Sequence, residues 1–297
     1  MFINLFGKYL ISKKMITFEQ LQSIRKEQSR TRVKLGLIAV AEKLLTEKQA
    51  EEINRKQALM DKRFGDIAID QGYLTLEQVS YLLDRQGNPY LQFGQIATEK
   101  GYMTFAQIED ALRQYQEDNH LSDETMTGFK NGDLDVIIPA FVHEETVKEA
   151  AGVAIRTLNR LVSTDLWMGD SYMTKRLTCD RVACQDMEGG LETTIGLAGM
   201  GDSLLVVADA YAGEAFQTVD MDALDSVGEV INIIDGLYAT ALSEEAIEVE
   251  MLPPSYFDTE TTLQGKAFCV IPLEIGQQPV MLVISHGGKI NFCREER

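Results

Sequence analysis

The length, composition and charge of this 297-residue chain already narrow the classes of protein to which it can belong. It has no run of eighteen apolar residues, so no membrane-spanning helix is expected, and its first residues lack the features of a signal peptide. A net charge of −18 argues against a nucleic-acid partner, because phosphate binding needs clustered Lys and Arg. The four Cys and three His are too scattered to predict a disulfide framework or a metal site. Reduced thiols are typical of the cytoplasm, so we expect a cytoplasmic protein.

Charge is distributed unevenly along the chain. Residues 1–120 carry 17 Lys and Arg against 16 Asp and Glu, whereas residues 121–297 carry 11 against 30. A difference in charge of this size between the two segments favours two units with different partners. The polar, acidic segment between them predicts a linker over residues 118–134, which separates a domain at 1–117 from a domain at 135–297.

The first domain contains four internal repeats that begin at residues 5, 34, 63 and 92, each 29 residues after the last. Thr followed three residues later by Gln recurs in every copy and forms a capping box, which predicts a helix start. Each copy is expected to be a short helical hairpin that stacks on its neighbours, so residues 1–117 form an all-helical repeat array. The recurring sets are Gly7, Gly36, Gly65 and Gly94; Thr17, Thr46, Thr75 and Thr104; and Gln20, Gln49, Gln78 and Gln107.

The repeats resemble the MshE N-terminal type of domain of type II secretion and type IV pilus ATPases. In that family, two motifs of the form RLGxxLxxxGLIxxxxLxxxLxxQ clamp cyclic di-GMP. The third copy matches well, whereas the fourth has Gln92 at the Arg position and Tyr115 at the Gln position. The alternative is a helical docking module whose glycines serve packing and turns. The resemblance implies cyclic di-GMP binding by Arg63, Gly65, Gly72, Gln86, Gly94 and Gly101.

The second domain is predicted to be α+β. Residues 135–141 predict a short strand or an extended entry, and the apolar spacing over 143–163 predicts a helix. Alternating, β-branched runs bounded by glycines then predict strands, one of them DSLLVVADA at 202–210. A second helix at 225–242 and three further strands follow. This order is typical of an antiparallel sheet with packed helices.

The helix at 225–242 is predicted to have one polar and one apolar face. At about 100° per residue, Asp225, Glu229, Asn232 and Gly236 fall on one side. A Gly inside a helix costs about 1 kcal/mol relative to Ala, which favours the close approach of a partner at this face. The residues predicted for the opposite, buried side are Val227, Val230, Ile231, Ile234, Leu237, Tyr238 and Ala241.

The spacing on this helix resembles the signature of the CheC, CheX and FliY chemotaxis phosphatases. That signature is Asp or Ser, three residues, Glu, two residues, Asn, and a proline about twenty-two residues later. Pro253 and Pro254 lie close to the last position. The resemblance covers residues 135–290 and implies the family's α+β fold. The first helix keeps Glu149 but has Gly152 where Asn would be, so a single site of the CheX type is implied.

This resemblance implies an enzyme that hydrolyses the aspartyl phosphate of a response-regulator receiver domain. Asn232 is implied to orient the attacking water, because an amide offers both a donor and an acceptor. Glu229 is implied to pair with the receiver's active-site Lys, with Asp225 and Gly236 at the edge of the partner contact. The chain needs no cofactor of its own in this scheme, since the receiver holds the Mg²⁺. Members of the family often dimerise, so a homodimer is also expected.

Two other functions remain open on the sequence. One is a non-catalytic signalling protein whose repeats bind cyclic di-GMP or dock on a secretion or motility complex. The other is a structural component of a switch or pilus assembly. If the phosphatase interpretation holds, the repeat domain is instead a targeting or sensory module of the enzyme.

Overall fold

The computed structural model describes residues 1–28, 30–57, 59 and 62–294. The chain divides between Asp133 and Leu134 into an N-terminal unit and a C-terminal unit. None of the helices in the described ranges combines the length and the apolar character that crossing a membrane requires.

The described residues of the N-terminal unit build four successive helix pairs and one further helix. The second helices of the pairs begin 29 residues apart, at Phe18, Glu47, Leu76 and Phe105. The helices are α1 (Phe2–Ser12), α2 (Phe18–Gln28), α3 (Leu35–Ala41), α4 (Glu47–Gln57), α5 (Phe64–Asp70), α6 (Leu76–Asp84), α7 (Pro89–Glu99), α8 (Phe105–Asp118) and α9 (Asp123–Asn131).

The second helix of each pair begins at the predicted capping box. In the third pair, Thr75 Oγ1 accepts the Gln78 backbone N–H at 3.2 Å, and Gln78 Oε1 accepts the Thr75 N–H at 2.8 Å. The same reciprocal bonds form at the other three Thr–Gln pairs. They satisfy amides that have no partner inside the helix, so each helix starts at the residue after its Thr.

Two residues beyond the end of the first helix of each pair, the backbone adopts a left-handed conformation with φ between 58° and 68°. These residues are Lys14, Lys43, Gly72 and Gly101. In the second pair, the Lys43 N–H bonds to Val40 O at 3.0 Å, and the next N–H, of Leu44, bonds to Ala39 O at 2.8 Å. This is a Schellman motif, a helix end in which glycine is normally favoured. Two copies therefore carry a lysine where the backbone suits a glycine.

Replacing Lys43 by Gly is expected to raise the free energy of unfolding by about 0.5–1 kcal/mol. A side chain in the left-handed region costs about 1–2 kcal/mol, and the greater freedom of glycine in the unfolded chain cancels part of the gain. Lys43 is exposed, so little packing is lost. Urea unfolding followed by circular dichroism measures the change. Gly72→Ala, the matched substitution in the third pair, should lower the stability, and a less stable Lys43→Gly protein would contradict the prediction.

Residues 118–134 do not form the expected linker, because they contain α9. This helix begins after Ser122, whose Oγ accepts a first-turn N–H at 3.1 Å, and it ends at Gly132, whose φ is +71°. On its inner side, Phe129 is buried and stacks on Tyr115 of α8, with ring centroids 4.9 Å apart. A few apolar contacts therefore hold α9 against α8, although most residues of α9 are polar.

The C-terminal unit combines helices with a sheet. Its helices are α10 (Leu134–Phe141), α11 (Lys148–Leu161), α12 (Leu205–Ala212) and α13 (Met221–Glu244). Its strands are β1 (Leu166–Met168), β2 (Tyr172–Cys179), β3 (Arg181–Gly189), β4 (Thr193–Gly199), β5 (Val249–Met251), β6 (Ser255–Phe257), β7 (Thr261–Ile275), β8 (Gln278–Ile284) and β9 (Asn291–Arg294). The described chain is therefore a mixed protein of helices and sheet.

The strands pair antiparallel in the order β1-β7-β8-β4-β3-β5, with β2 and β9 also on β7 and β6 also on β3. Helix α13 lies against β3, β4, β5 and β6 and also contacts α11 and α12. Because side chains alternate along a strand, Gln185 of β3 faces α13, whereas the neighbouring Cys184 joins an apolar cluster with Phe268 and Val270. Strand β3 thus supplies the surface beneath α13.

Two segments of this unit differ from the sequence prediction. Residues 135–141, expected to be extended, lie in α10, and residues 202–210, expected to be a strand, form a turn followed by α12. In and just before α12, Leu204, Val207 and Ala208 are buried at helical spacing. Both segments are short apolar runs, and such runs suit a buried helix as well as a buried strand.

Candidate functional site

The candidate site lies on α13. The helix begins after Asp220, whose Oδ1 accepts the Ala223 N–H at 3.0 Å, and it continues for 24 residues. One side of it is buried against the sheet and the neighbouring helices, so the other side is presented outward. The apolar residues of the buried side include Leu224, Val227, Val230, Ile231, Ile234, Tyr238 and Leu242.

The outward side carries all four predicted polar-face residues, two of them exposed and two half-buried. Asp225 and Glu229 are exposed, and Gly236 is half-buried. Glu229 has no ion-pair partner within the described part of the chain. A Cβ at position 236 would meet no heavy atom within 4 Å, so the packing of the chain does not require glycine there. The space beside Gly236 is available to a partner.

Leu237 corrects one detail of the predicted helix faces. It was expected on the buried side, but its side chain is 41% exposed. It lies about 120° around the helix from Asp225, at the edge of the apolar face. The apolar face of α13 therefore reaches the exposed surface at Leu237.

Asn232 lies at the opposite edge of the exposed side and is half-buried. Its Oδ1 accepts a hydrogen bond from Gln185 Nε2 at 3.2 Å, and the same Nε2 donates to the backbone oxygen of Leu252 at 2.7 Å. Gln185 itself is only 3% exposed. Among the described residues, Asn232 Nδ2 has no hydrogen-bond partner. The amide nitrogen is thus the atom left for an external ligand.

Tyr256 of β6 forms one wall of the site, which the sequence analysis did not include. Its hydroxyl donates to Asp225 Oδ1 at 3.0 Å. Burial, and then this bond to the carboxylate, raise the pKa of Tyr256 to about 12. The ring lies so close to α13 that a Cβ at Gly228 would clash with it. Gly228, unlike Gly236, therefore has a structural reason to be glycine.

Asp235 is a second group that the sequence analysis missed. It is fully buried on α13, and neither of its carboxyl oxygens has a hydrogen-bond partner in the described structure. Burial, reinforced by the nearby charge of Asp186, raises its pKa well above the ordinary value. Burial therefore favours the protonated, uncharged form of this carboxyl group.

Helix α11 does not repeat the arrangement. Glu149 is exposed, but the position that corresponds to Asn232 is Gly152, which is buried and has no side chain that could hold a water. A Cβ there would lie 3.1 Å from the Arg156 guanidinium, which in turn bonds Asp135 at 2.7 Å. Of these two helices, α13 combines the carboxylate with the amide and α11 does not.

Three of the residues implied for cyclic di-GMP binding are used inside the N-terminal unit. A Cβ at Gly65 would lie 2.8 Å from Val79, and one at Gly94 would clash with the Phe105 ring. Gln86 Nε2 donates to the Val33 carbonyl at 2.8 Å. These residues therefore hold helix pairs together.

The other three lie at open positions. Arg63 is exposed at the start of α5. Gly72 and Gly101 have left-handed backbones, and a Cβ on either would meet no atom of the described residues within 4 Å. Within the described ranges, no group of three or more His, Cys, Asp or Glu side chains is arranged to hold a metal ion.

Comparison with known families assigns a class to the C-terminal unit. Residues 181–274 match the family described as chemotaxis phosphatase CheX. The match runs from the start of β3 into β7 and includes all of α13. This region is therefore a CheX family domain. No curated protein matches the chain.

Several solved structures are similar to about half of the chain. CheX from Desulfovibrio desulfuricans is 21% identical, with 48% of this chain and 99% of that chain covered and a TM-score of 0.43. A chain of the CheX–CheY–BeF3–Mg complex from Borrelia burgdorferi is 16% identical, with 50% and 99% covered and a TM-score of 0.39. FliY from Thermotoga maritima is 22% identical, with 56% and 91% covered and a TM-score of 0.34.

Proposed function

We propose that the C-terminal unit is a phosphatase that hydrolyses the aspartyl phosphate of a response-regulator receiver domain. The observation that carries this proposal is the pairing of Glu229 and Asn232, one turn apart on α13. The carboxylate is exposed without an ion-pair partner, and the amide keeps its Nδ2 free in the described structure. The CheX family match of residues 181–274 supports the same chemical class.

The reaction needs little from this chain beyond an oriented water. The acyl phosphate and its Mg²⁺ belong to the receiver. Water attacks the phosphorus, the P–O bond to the aspartyl group breaks, and inorganic phosphate and a free carboxylate result. Asn232 holds the water through Nδ2–H and through the second lone pair of Oδ1, and it does not titrate. Asn232 therefore contributes by positioning the water, and such positioning is a large part of catalysis when the reacting atoms must be in line.

Glu229 would fix the position of the receiver on α13. An exposed carboxylate forms a charge-assisted hydrogen bond with a lysine ammonium, such as the one expected in the receiver's active site. Gly236 leaves the helix backbone open to close approach two turns further on. Asp225 is already held by Tyr256, so it would contact the partner with a fixed side chain.

A phosphate-release assay tests the function directly. The full chain is added to a panel of receiver domains phosphorylated on aspartate, and inorganic phosphate is followed with time. We expect at least one receiver to lose its phosphate faster than it does alone. If no receiver in a broad panel is accelerated, the phosphatase function is wrong. Repeating the assay with cyclic di-GMP shows whether the N-terminal unit affects the rate.

We also propose that the N-terminal unit binds cyclic di-GMP. The observation that favours it is that Arg63, Gly72 and Gly101 all lie at open positions, where a guanidinium and unshielded backbone can reach a ligand. In this proposal Gly65, Gly94 and Gln86 contribute by holding the helices in place.

Titration calorimetry with cyclic di-GMP on the full chain tests this second proposal. We expect a saturable heat that Arg63→Ala abolishes, because the planar guanidinium can bind phosphate or a guanine edge with two hydrogen bonds. Arg55→Ala is the matched control, since Arg55 is also exposed in the same unit. No heat with the unsubstituted chain, or equal heats for both variants, would instead favour a docking module without a nucleotide.

A further inference from the structure

We infer that Gln185 is a positioning residue that sets the orientation of the Asn232 amide. The inference rests on the proposed catalytic function of Asn232. Gln185 lies on β3, and its side chain reaches α13 from beneath. It does not reach the outer surface, because only 3% of it is exposed, so it acts through Asn232 and not on the receiver.

The orientation follows from a chain of donors and acceptors that begins at a backbone carbonyl. Leu252 O can only accept, so the atom of Gln185 that lies 2.7 Å from it must be Nε2. The same Nε2 lies 3.2 Å from Asn232, which must therefore turn its Oδ1 inward. Reversing the Gln185 amide would place Oε1 against the Leu252 oxygen, with two acceptors in contact. The Asn232 Nδ2 is consequently directed away from Gln185.

The carbonyl at the start of this chain is itself held in place. The Leu252 N–H donates to the backbone oxygen of Asp186 on β3 at 2.9 Å. Pro253 and Pro254 follow directly, and their rings restrict the backbone. Pro253 and Pro254, near the predicted position of the signature proline, therefore follow the residue whose carbonyl orients the Gln185 amide, although neither needs to touch the substrate.

Gln185 is an unfavourable choice for packing alone. Its Oε1 is buried and has no hydrogen-bond partner in the described structure. An unpaired buried acceptor is costly, and a methionine of similar length would avoid that cost. The need to orient Asn232 explains the presence of Gln185, whose Nε2 makes two hydrogen bonds while its Oε1 makes none in the described structure.

Steady-state dephosphorylation by the full chain tests the inference. Gln185→Met keeps the length and removes the donor, so kcat should fall by about 10- to 100-fold while KM changes by less than about twofold. Thr262→Val is the matched control. It removes the bond of 3.0 Å between the Thr262 and Thr178 hydroxyls, which joins β7 to β2 and involves neither β3 nor α13, and it should keep kcat. An unchanged kcat in a folded Gln185→Met protein would overturn the inference, and so would an equal loss in both variants.

A second measurement keeps the inference separate from the proposed function. The ¹⁵N heteronuclear NOE of the Asn232 side-chain amide, assigned by its loss in Asn232→Asp, reports how firmly the amide is held. We expect a rigid amide that becomes as mobile as that of the exposed Asn291 in Gln185→Met. If the unsubstituted chain accelerates no receiver, the proposed function fails, and this NOE still decides whether Gln185 holds the amide. An NOE that does not change with Gln185→Met would refute the inference.

Discussion

Asn232→Ala is expected to lower the acceleration of receiver dephosphorylation at least about 100-fold, leaving little more than the receiver's own rate. In the proposed mechanism, the substitution removes the amide that holds the attacking water, and misplacement of a reacting group by about 1 Å costs this much. KM should change little, because Glu229 and the open surface at Gly236 remain to bind the receiver. Single-turnover phosphate release at saturating protein measures the effect.

Two further variants test whether the loss of activity is specific to the Asn232 amide. Asn232→Asp keeps the size and an oxygen that can accept from Gln185, but it has no Nδ2–H, so it should be as inactive as the alanine variant. Asn159→Ala is the matched control, because Asn159 is a half-buried Asn on the other helix, α11, and its loss should leave the rate intact. Full activity of a folded Asn232→Ala protein would refute the proposed catalytic residue.

Glu229→Lys is expected to lower kcat/KM by about 100-fold or more through a higher KM. The substitution places an ammonium where a carboxylate would meet the receiver's lysine, so that an attractive contact becomes a repulsive one. Within the described chain no cation is paired with Glu229, so the fold should lose little stability. Binding of the phosphorylated receiver, measured by surface plasmon resonance, should weaken in parallel.

Glu244→Lys is the control for charge. It makes the same change of two charges at an exposed position of the same helix, about 22 Å along the axis from Glu229. If both variants weaken binding equally, the effect comes from net charge and the specific pairing of Glu229 is wrong.

The sequence was most informative where a local rule decides the structure. The Thr–Gln capping boxes predicted the four helix starts, since the bonds involved lie within three residues of each other. The two faces of α13 followed from the helical repeat, apart from Leu237 at the margin. Ser122 and Gly132 also carried start and stop signals for α9, but the polar composition between them led to the prediction of a linker.

Long-range contacts set the limit of the sequence analysis. The bond between Gln185 and Asn232 joins residues 47 positions apart, and nothing in the spacing on α13 indicates which strand lies below it. The Tyr256 contact with Asp225 and the burial of Asp235 depend on the sheet order in the same way. The helix wheel identified the outward residues, and only the fold shows that Asn232 lies at the boundary where a core residue can reach it.

The exposed carboxylates of α13 have a consequence for how a receiver arrives. Asp222, Asp225 and Glu229 lie on the outward side of the helix, in a half of the chain where Asp and Glu outnumber Lys and Arg by 30 to 11. Such a surface attracts the basic face of an approaching protein before contact and repels acidic ones. Added salt shortens the range of this attraction to about 8 Å at physiological ionic strength. Encounter should thus slow as ionic strength rises, while hydrolysis within the formed complex keeps its rate.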